Sequence, residues 1–197
     1  MDVRPLVERA QHGMTLVPSD LLEVKDTLLA AARIRRLLTN LEGQFPNLAD
    51  IAWRIPSLTA LVASVEQVLD ERGEVRDDAS PELADIRREL RTAQDRIQER
   101  LQRMLSSPDI APYLQEPIIT RREGRFVLPV QANFKGYVQG VVHDRSSSGV
   151  TLFMEPLSIV ELNNTLRELR LAEEEEVHRL LMKLTMQVAG SEDEIHA

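Results

Sequence analysis

The feature that most constrains the fold of this sequence is a regular apolar repeat that begins just after Ser80. Ser80 can cap a helix, and Pro81 suits the first helical position. Apolar residues then recur every three or four positions, close to a heptad, with mostly charged or amide side chains between them. They are Leu83, Ile86, Leu90, Ala93, Ile97, Leu101 and Met104. This spacing predicts a straight helix over 80–105, about 37 Å long, whose narrow apolar seam needs a partner helix.

The predicted partner is a second stretch with the same rhythm, over 157–189. Its apolar positions are Ile159, Leu162, Leu166 and Leu169, and then Val177, Leu180, Leu184 and Val188. Four consecutive glutamates, 173–176, separate the two groups. This acidic run could be a binding surface, but a solvated helix face is the interpretation we favour. The four-residue change of phase also resembles a stutter, which locally unwinds a coiled coil.

Residues 117–156 differ from both helical stretches, because β-branched and aromatic residues replace the heptad pattern. The runs 118–121 and 125–130 flank Glu123-Gly124, which predicts a β-hairpin. Two further strands are predicted over 138–143 and 150–154. These strands predict a small antiparallel sheet between the two long helices.

The N-terminal part is rich in Leu and Ala and predicts packed helices over 5–12, 19–41 and 57–70, with Gly43 and Pro46 as an interruption. The predicted fold class is therefore mainly α with a small antiparallel β-sheet. We expect a helical core from which two long antiparallel, coiled-coil-like helices extend, with the sheet at their far end. The predicted segments are a helical core over 1–79, an outgoing helical segment over 80–116, a β-rich tip over 117–156 and a returning helical segment over 157–197.

Composition excludes several classes of protein. The chain has no cysteine, which excludes disulfides, thiolate catalysis and cysteine-bound zinc. A net charge of −8 argues against a polybasic nucleic-acid binder, and four Phe, two Tyr and one Trp are too few for an extended base-stacking platform. No apolar run approaches the roughly 18 residues of a membrane span, and the first residues lack the apolar core of a signal peptide. We expect a soluble, cytoplasmic protein that does not contact a membrane.

No constellation in the sequence predicts catalysis. Phosphate-binding loops and dinucleotide-binding glycine motifs are missing, and the four histidines have no metal-ligand spacing. His143-Asp144 precedes three serines, but without a Gly-x-Ser-x-Gly motif we interpret them as a turn rather than a hydrolase site. Phe153 and Glu155 spell Phe-x-Glu, the wedge that mismatch-repair proteins use, yet Phe153 is predicted to be a core residue. We therefore assign this chain no catalytic residue, no cofactor and no metal.

Basic residues are concentrated in the predicted sheet. Residues 118–155 carry five basic and three acidic side chains, a net charge of +2, so the rest of the chain sums to −10. Either this is a solvated hairpin that carries arginines by chance, or it is a surface that contacts phosphate backbones. Side chains alternate across a strand, so the five cannot all share one face. The candidate nucleic-acid-binding residues are Arg121, Arg122, Arg125, Lys135 and Arg145.

Several blocks of the chain resemble one bacterial family. They read RFVLPVQ over 125–131, GVVHDRSSSG over 140–149, TLFMEP over 151–156 and ELNNTLREL over 161–169, with GEVRDDASPEL upstream over 73–83. In this order they resemble MutS2, the paralogue of MutS that carries a C-terminal Smr domain. The resemblance implies a parent protein that is a homodimeric ATPase with a nuclease domain, acts on branched DNA to suppress recombination and rescues collided ribosomes.

The resemblance covers only the core, lever and clamp of that family, so we expect this chain to be a piece of a larger protein. ATP, Mg²⁺ and nuclease chemistry would belong to parts of the parent that this chain does not match. The resemblance implies that 80–116 and 157–197 are lever helices and that 117–156 is a β clamp at their tip. Such a clamp would bind branched or duplex DNA, or ribosomal RNA, through backbone contacts. The alternative is a coiled-coil dimerisation or assembly module whose sheet is purely structural.

Overall fold

The computed structural model describes residues 2–196, and of His196 only the backbone. These residues are mainly helical and contain one four-stranded antiparallel sheet, which confirms the predicted fold class. The helices are α1 (Arg4–Gln11), α2 (Pro18–Thr39), α3 (Pro46–Arg54), α4 (Thr59–Val68), α5 (Pro81–Leu105), α6 (Val160–Gly190) and α7 (Glu192–His196). The strands are β1 (Thr120–Arg122), β2 (Arg125–Gln131), β3 (Gly140–Arg145) and β4 (Thr151–Pro156). Short 3₁₀ segments lie at Ala111–Tyr113, Ala132–Tyr137 and Leu157–Ile159.

The chain forms two compact units, and the first comprises Met1–Ala84 with Glu175–Ala197. Its core joins α1, α2, α4, the start of α5 and the end of α6 through fully buried side chains such as Val7, Leu21 and Val65. Ser80 caps α5 as the sequence predicts, since its hydroxyl accepts a 3.0 Å hydrogen bond from the Leu83 amide.

The second unit, Asp85–Glu174, contains the sheet and the adjoining parts of α5 and α6. Arg87 of α5 pairs with Glu173 of α6 at 2.7 Å, whereas Met104, at the other end of α5, contacts Ser158 just before α6. The two helices therefore run antiparallel within the unit, as predicted. Their seam is buried, with Ile97 fully enclosed.

The sheet has the strand order β1-β2-β4-β3, with every neighbouring pair antiparallel. One face carries apolar residues of β2 and their β4 neighbours, and it packs in the same core as the helix seam. These residues are Phe126, Leu128, Val130, Leu152 and Met154. The face of each residue is thus fixed by its position along the strand.

Helix α3 begins at Pro46, where the sequence predicts only an interruption between helices. Proline lacks an amide hydrogen and is well suited to the first turn, where it begins α3. Leu48, Ile51 and Trp53 of this helix are exposed. Within residues 2–196 no single helix is long and apolar enough to cross a membrane, although α3 and α4 pass that test when taken together across their 54° bend.

Candidate nucleic-acid interface

The β1–β2 turn places three of the five candidate residues on two different faces. Glu123 and Gly124 both have positive φ, 50° and 78°, and Arg122 pairs with Arg125, so this is a two-residue hairpin turn. Arg121 is opposite Phe126 and lies on the core-facing side of the sheet, whereas the Arg122–Arg125 pair lies on the opposite side. The register confirms that the candidates cannot share one face.

Arg121 is an exposed arginine at the edge of the core-facing side. Its guanidinium lies over the Phe126 ring, 4.3 Å from the ring centroid, and the ring itself is buried. Partial burial lowers the pKa of Arg121 below its ordinary value, and the nearby positive charge of Arg170 lowers it further. The protein thus holds this cation in a place where an anion would relieve the repulsion.

Arg170 reaches the same place from α6. Its Nη1 donates a 3.2 Å hydrogen bond to the carbonyl oxygen of Gly124, in the turn that follows Arg121. Among the side chains that the structure describes, neither guanidinium has a carboxylate partner. Arg121 and Arg170 therefore form an uncompensated pair of cations, and planar guanidinium groups are well matched to phosphate oxygens.

Arg122 is neutralised within the protein. Its guanidinium stacks 3.6 Å above the Phe153 ring centroid, and its Nε donates to Asp144 at 2.8 Å. The prediction that Phe153 belongs to the core is wrong. Phe153 is only half-buried and lies on the sheet face opposite to Leu152, because neighbouring strand residues point to opposite sides.

Arg125 holds a buried carboxylate rather than facing solvent. Its Nη1 lies 2.7 Å from Oε1 of Glu155, whose side chain is 2% exposed, and its Nη2 donates to Asn164 at 2.6 Å. Asn163 donates to the same carboxylate at 2.7 Å, and Nε2 of His143 lies 2.6 Å from its other oxygen. With these partners Arg125 has a structural role, and we do not include it in the contact surface.

Asn163 also fixes the start of β2 against α6. Its side-chain oxygen accepts a hydrogen bond from the Phe126 amide, and its side-chain nitrogen donates to the Phe126 carbonyl, both at 3.1 Å. These bonds satisfy two strand groups near the turn. They bind β2 directly to the helix that carries Arg170, which explains how two arginines 49 positions apart in the sequence come together.

Lys135 and Arg145 lie in two other loops. Lys135 is exposed on the 3₁₀ segment Ala132–Tyr137. Arg145 ends β3, and its Nε donates to the Gly149 carbonyl at 3.1 Å, so its guanidinium packs on a turn that closes at a positive φ. Both remain exposed cations with no carboxylate partner among the described side chains.

Curated proteins of one family match nearly the whole chain. It is 50% identical over 192 residues to the endonuclease MutS2 of Symbiobacterium thermophilum, which covers 98% of this chain and 24% of that protein. It is 44% identical over 197 residues to the endonuclease MutS2 of Thermomicrobium roseum, covering 98% of this chain and 25% of that protein. This chain belongs to the MutS2 family. It spans about a quarter of the length of these MutS2 relatives, and no family model matches it.

Within residues 2–196, the arginine pair is the feature whose chemistry best suits a ligand. Among residues 2–196, no group of three or more His, Asp or Glu side chains is placed to hold a metal ion. His143, which precedes the serine run, is engaged by the buried Glu155. The Arg121–Arg170 pair, by contrast, presents two guanidinium groups that have no carboxylate partner among the described side chains, which is chemistry suited to an anion.

Proposed function

We propose that this chain is the lever and clamp region of a MutS2-type protein and that it binds the phosphate backbone of nucleic acid through Arg121 and Arg170. The observation that carries the proposal is the uncompensated guanidinium pair in a chain whose net charge is −8. The relatives are named endonucleases, which is consistent with a nucleic-acid partner. The proposal gives this chain no catalytic step, and it assigns ATP and Mg²⁺ to other parts of the parent protein.

Backbone contacts position a protein on nucleic acid without reading its sequence. The clamp is therefore proposed to bind branched or duplex DNA, or ribosomal RNA, with little sequence preference. Lys135 and Arg145 are exposed and would add contacts if the bound strand extends to their loops. The net negative charge outside the 118–155 window repels phosphates, which favours binding at the sheet and the adjoining Arg170.

The alternative function, an assembly module whose seam pairs between chains, requires the α5 seam to be available. Ala93, Ile97 and Leu101 are instead buried in the same core as Leu166 of α6 and the sheet. Opening that core would expose apolar surface at a cost of about 25 cal/mol per Å². The buried seam therefore favours the clamp over the assembly module.

The test compares the 197-residue chain with its Arg121→Gln/Arg170→Gln variant in binding duplex and branched DNA from about 50 to 200 mM salt. Each lost phosphate contact reduces the slope of log affinity against log salt by about 0.9, so the double variant should lose roughly 1.8 and bind more weakly at low salt. Competition of ribosomal RNA against the bound DNA then shows which of the two nucleic acids the chain binds more tightly.

The matched control is Arg88→Gln/Arg103→Gln, which removes the same charge from α5. These side chains are 67% and 72% exposed, and each pairs only with a carboxylate on its own helix among the contacts described. The control should keep the parent slope, which separates a local contact from a change of net charge. Equal slopes for the two variants, or a parent chain that binds no DNA at low salt, would refute the proposal.

A further inference from the structure

Three aromatic residues gather at one place in the second unit. The ring centroids of Tyr113 and Tyr137 are 4.7 Å apart with planes 29° from parallel, and Phe134 approaches them at 5.3 and 5.8 Å. The chain has only seven aromatic residues, and three of them form this aromatic cluster. Almost half of the aromatic residues of the chain therefore lie in this one cluster.

The backbone holds the cluster in a fixed position. Tyr113 ends the 3₁₀ segment Ala111–Tyr113, and the next residue, Leu114, forms an antiparallel bridge with Val130 of β2. The Gln115 amide donates to the Pro129 carbonyl at 2.8 Å, and the Gln131 side chain donates to the Leu114 carbonyl at 3.0 Å. The ring of Tyr113 is thereby set beside the segment that follows Gln131, and a binding site built from it would be preorganised.

Tyr137 stays largely in solvent although it stacks on a second ring. It is 64% exposed, whereas Tyr113 and Phe134 are half-buried. A cluster that served only to fill a core would enclose its outermost ring, because burial of apolar surface is what stabilises such contacts. The exposed ring is therefore available to a ligand, and the other two support it.

We propose that the aromatic cluster is a stacking site for one unpaired nucleobase, with Tyr137 as the platform and Lys135 beside it for the adjoining phosphate; this inference rests on the proposed function. Lys135 is exposed two positions before Tyr137 on the same 3₁₀ segment. Residues 131–140 contain no acidic side chain, so this segment is positively charged and suits an anionic ligand with a flat ring. Aromatic side chains stack on any base, which is worth about 1–3 kcal/mol per base. Bases inside a duplex are already stacked, so the site would select a gap, a loop or a branch point.

The inference is tested with the 197-residue chain and oligonucleotides that carry 2-aminopurine in a single-stranded gap, in DNA and RNA versions. Stacking on Tyr137 should quench the probe in a saturable manner. Tyr137→Ala should abolish the quenching and weaken binding to the gapped probe roughly 5- to 150-fold, the factor that corresponds to the loss of one stacked base. Binding to fully paired duplex should not change, and Tyr137→Phe should behave like the parent.

Two controls keep the result interpretable. Leu157→Ala removes a side chain of similar exposure, 57%, from the same unit and should leave quenching intact. Tyr137→Leu keeps an apolar contact for Tyr113 but has no aromatic face, so it should lose quenching even if the alanine variant unfolds. Unchanged quenching or affinity in both Tyr137→Ala and Tyr137→Leu would overturn the inference.

The outcomes also separate this inference from the proposed function. Duplex binding that depends on the arginine pair, without any quenching, would overturn the stacking site alone. Quenching that disappears in Tyr137→Leu, together with a duplex salt slope that Arg121→Gln/Arg170→Gln leaves unchanged, would support the stacking site and refute the arginine pair. A parent chain that binds neither duplex nor gapped probe would overturn both.

Discussion

The buried carboxylate of Glu155 offers the sharpest test of what holds the sheet together. Glu155→Gln keeps the size of the side chain but removes the charge that Arg125 faces at 2.7 Å, and it puts an N–H group among two or three donors. The Arg125 side chain is only 19% exposed, so water replaces little of the lost interaction. Removing one partner of a buried ion pair costs about 3–5 kcal/mol. The partial exposure of Arg125 argues for the lower end, about 3 kcal/mol.

The effect should be measured as the free energy of unfolding in urea, followed by far-UV circular dichroism. Hydrogen exchange of β2 and β4 would show whether the loss is local to the second unit. The matched control is Asp144→Asn, which breaks the exposed pair with Arg122, whose side chains are 48% and 33% exposed. Exposed pairs contribute about 0–1 kcal/mol, so this control should change stability little.

A Glu155→Gln variant no less stable than Asp144→Asn would refute a stabilising role for the Glu155 carboxylate. A double-mutant cycle with Arg125→Met then identifies the partner. If Arg125 and Glu155 act as one unit, the two substitutions together should cost less than the sum of their separate effects, with a coupling of about 0.5–3 kcal/mol. Additive costs would instead indicate that His143 and Asn163 supply the stabilisation.

Two further substitutions test other parts of the fold. Gly140→Ala should destabilise the chain by about 1–3 kcal/mol in thermal unfolding, because the added Cβ would clash with the backbone of Glu155. The control Gly136→Ala, whose Cβ meets nothing within 4 Å, should change stability by no more than about 0.5 kcal/mol. A hydrogen bond from Arg179 holds the pKa of Glu176 below its ordinary value of 4.5. The ionised carboxylate therefore stabilises the fold fully above pH 4.5, and this stabilisation is lost as the pH falls through the lowered pKa. The stability advantage of the parent over Glu176→Gln should therefore shrink below about pH 4.5, and a constant difference would contradict the assignment.

The sequence predicts the regular elements because their periodicity is local. The α5 seam follows from three- and four-residue spacing, and the β1–β2 hairpin from Glu123-Gly124 between two strand-forming runs. Helix α3 was missed because Pro46 both ends and begins helices, and which of the two applies depends on the residues that follow. The 3₁₀ segments were missed as well, since runs of three to six residues are too short to show a period.

The candidate site depends on long-range pairing, which no local pattern contains. The sheet order β1-β2-β4-β3 allows Arg122 to reach Asp144 and brings Arg125 to Glu155, 22 and 30 positions away. Arg170 was not predicted at all, because its approach to the turn depends on how α6 packs against β2. The aromatic cluster could not be predicted either, because composition gives the number of aromatic residues but not their positions in the fold.

The net charge of residues 118–155 is carried by fewer side chains than the sequence suggests. The value of +2 follows from five basic and three acidic side chains. Arg122 pairs with Asp144 and Arg125 with Glu155, so neither ion pair adds to the net charge or leaves a free cation for a phosphate. The excess lies on the remaining residues, which are Arg121, Lys135 and Arg145, opposed by Glu123. Arg170 lies outside the window and adds a fourth cation beside Arg121, so the local positive charge is larger than the window indicates. A phosphate backbone should therefore bind at the Arg121–Arg170 pair first, and its salt dependence should report that pair rather than the five residues counted in the sequence.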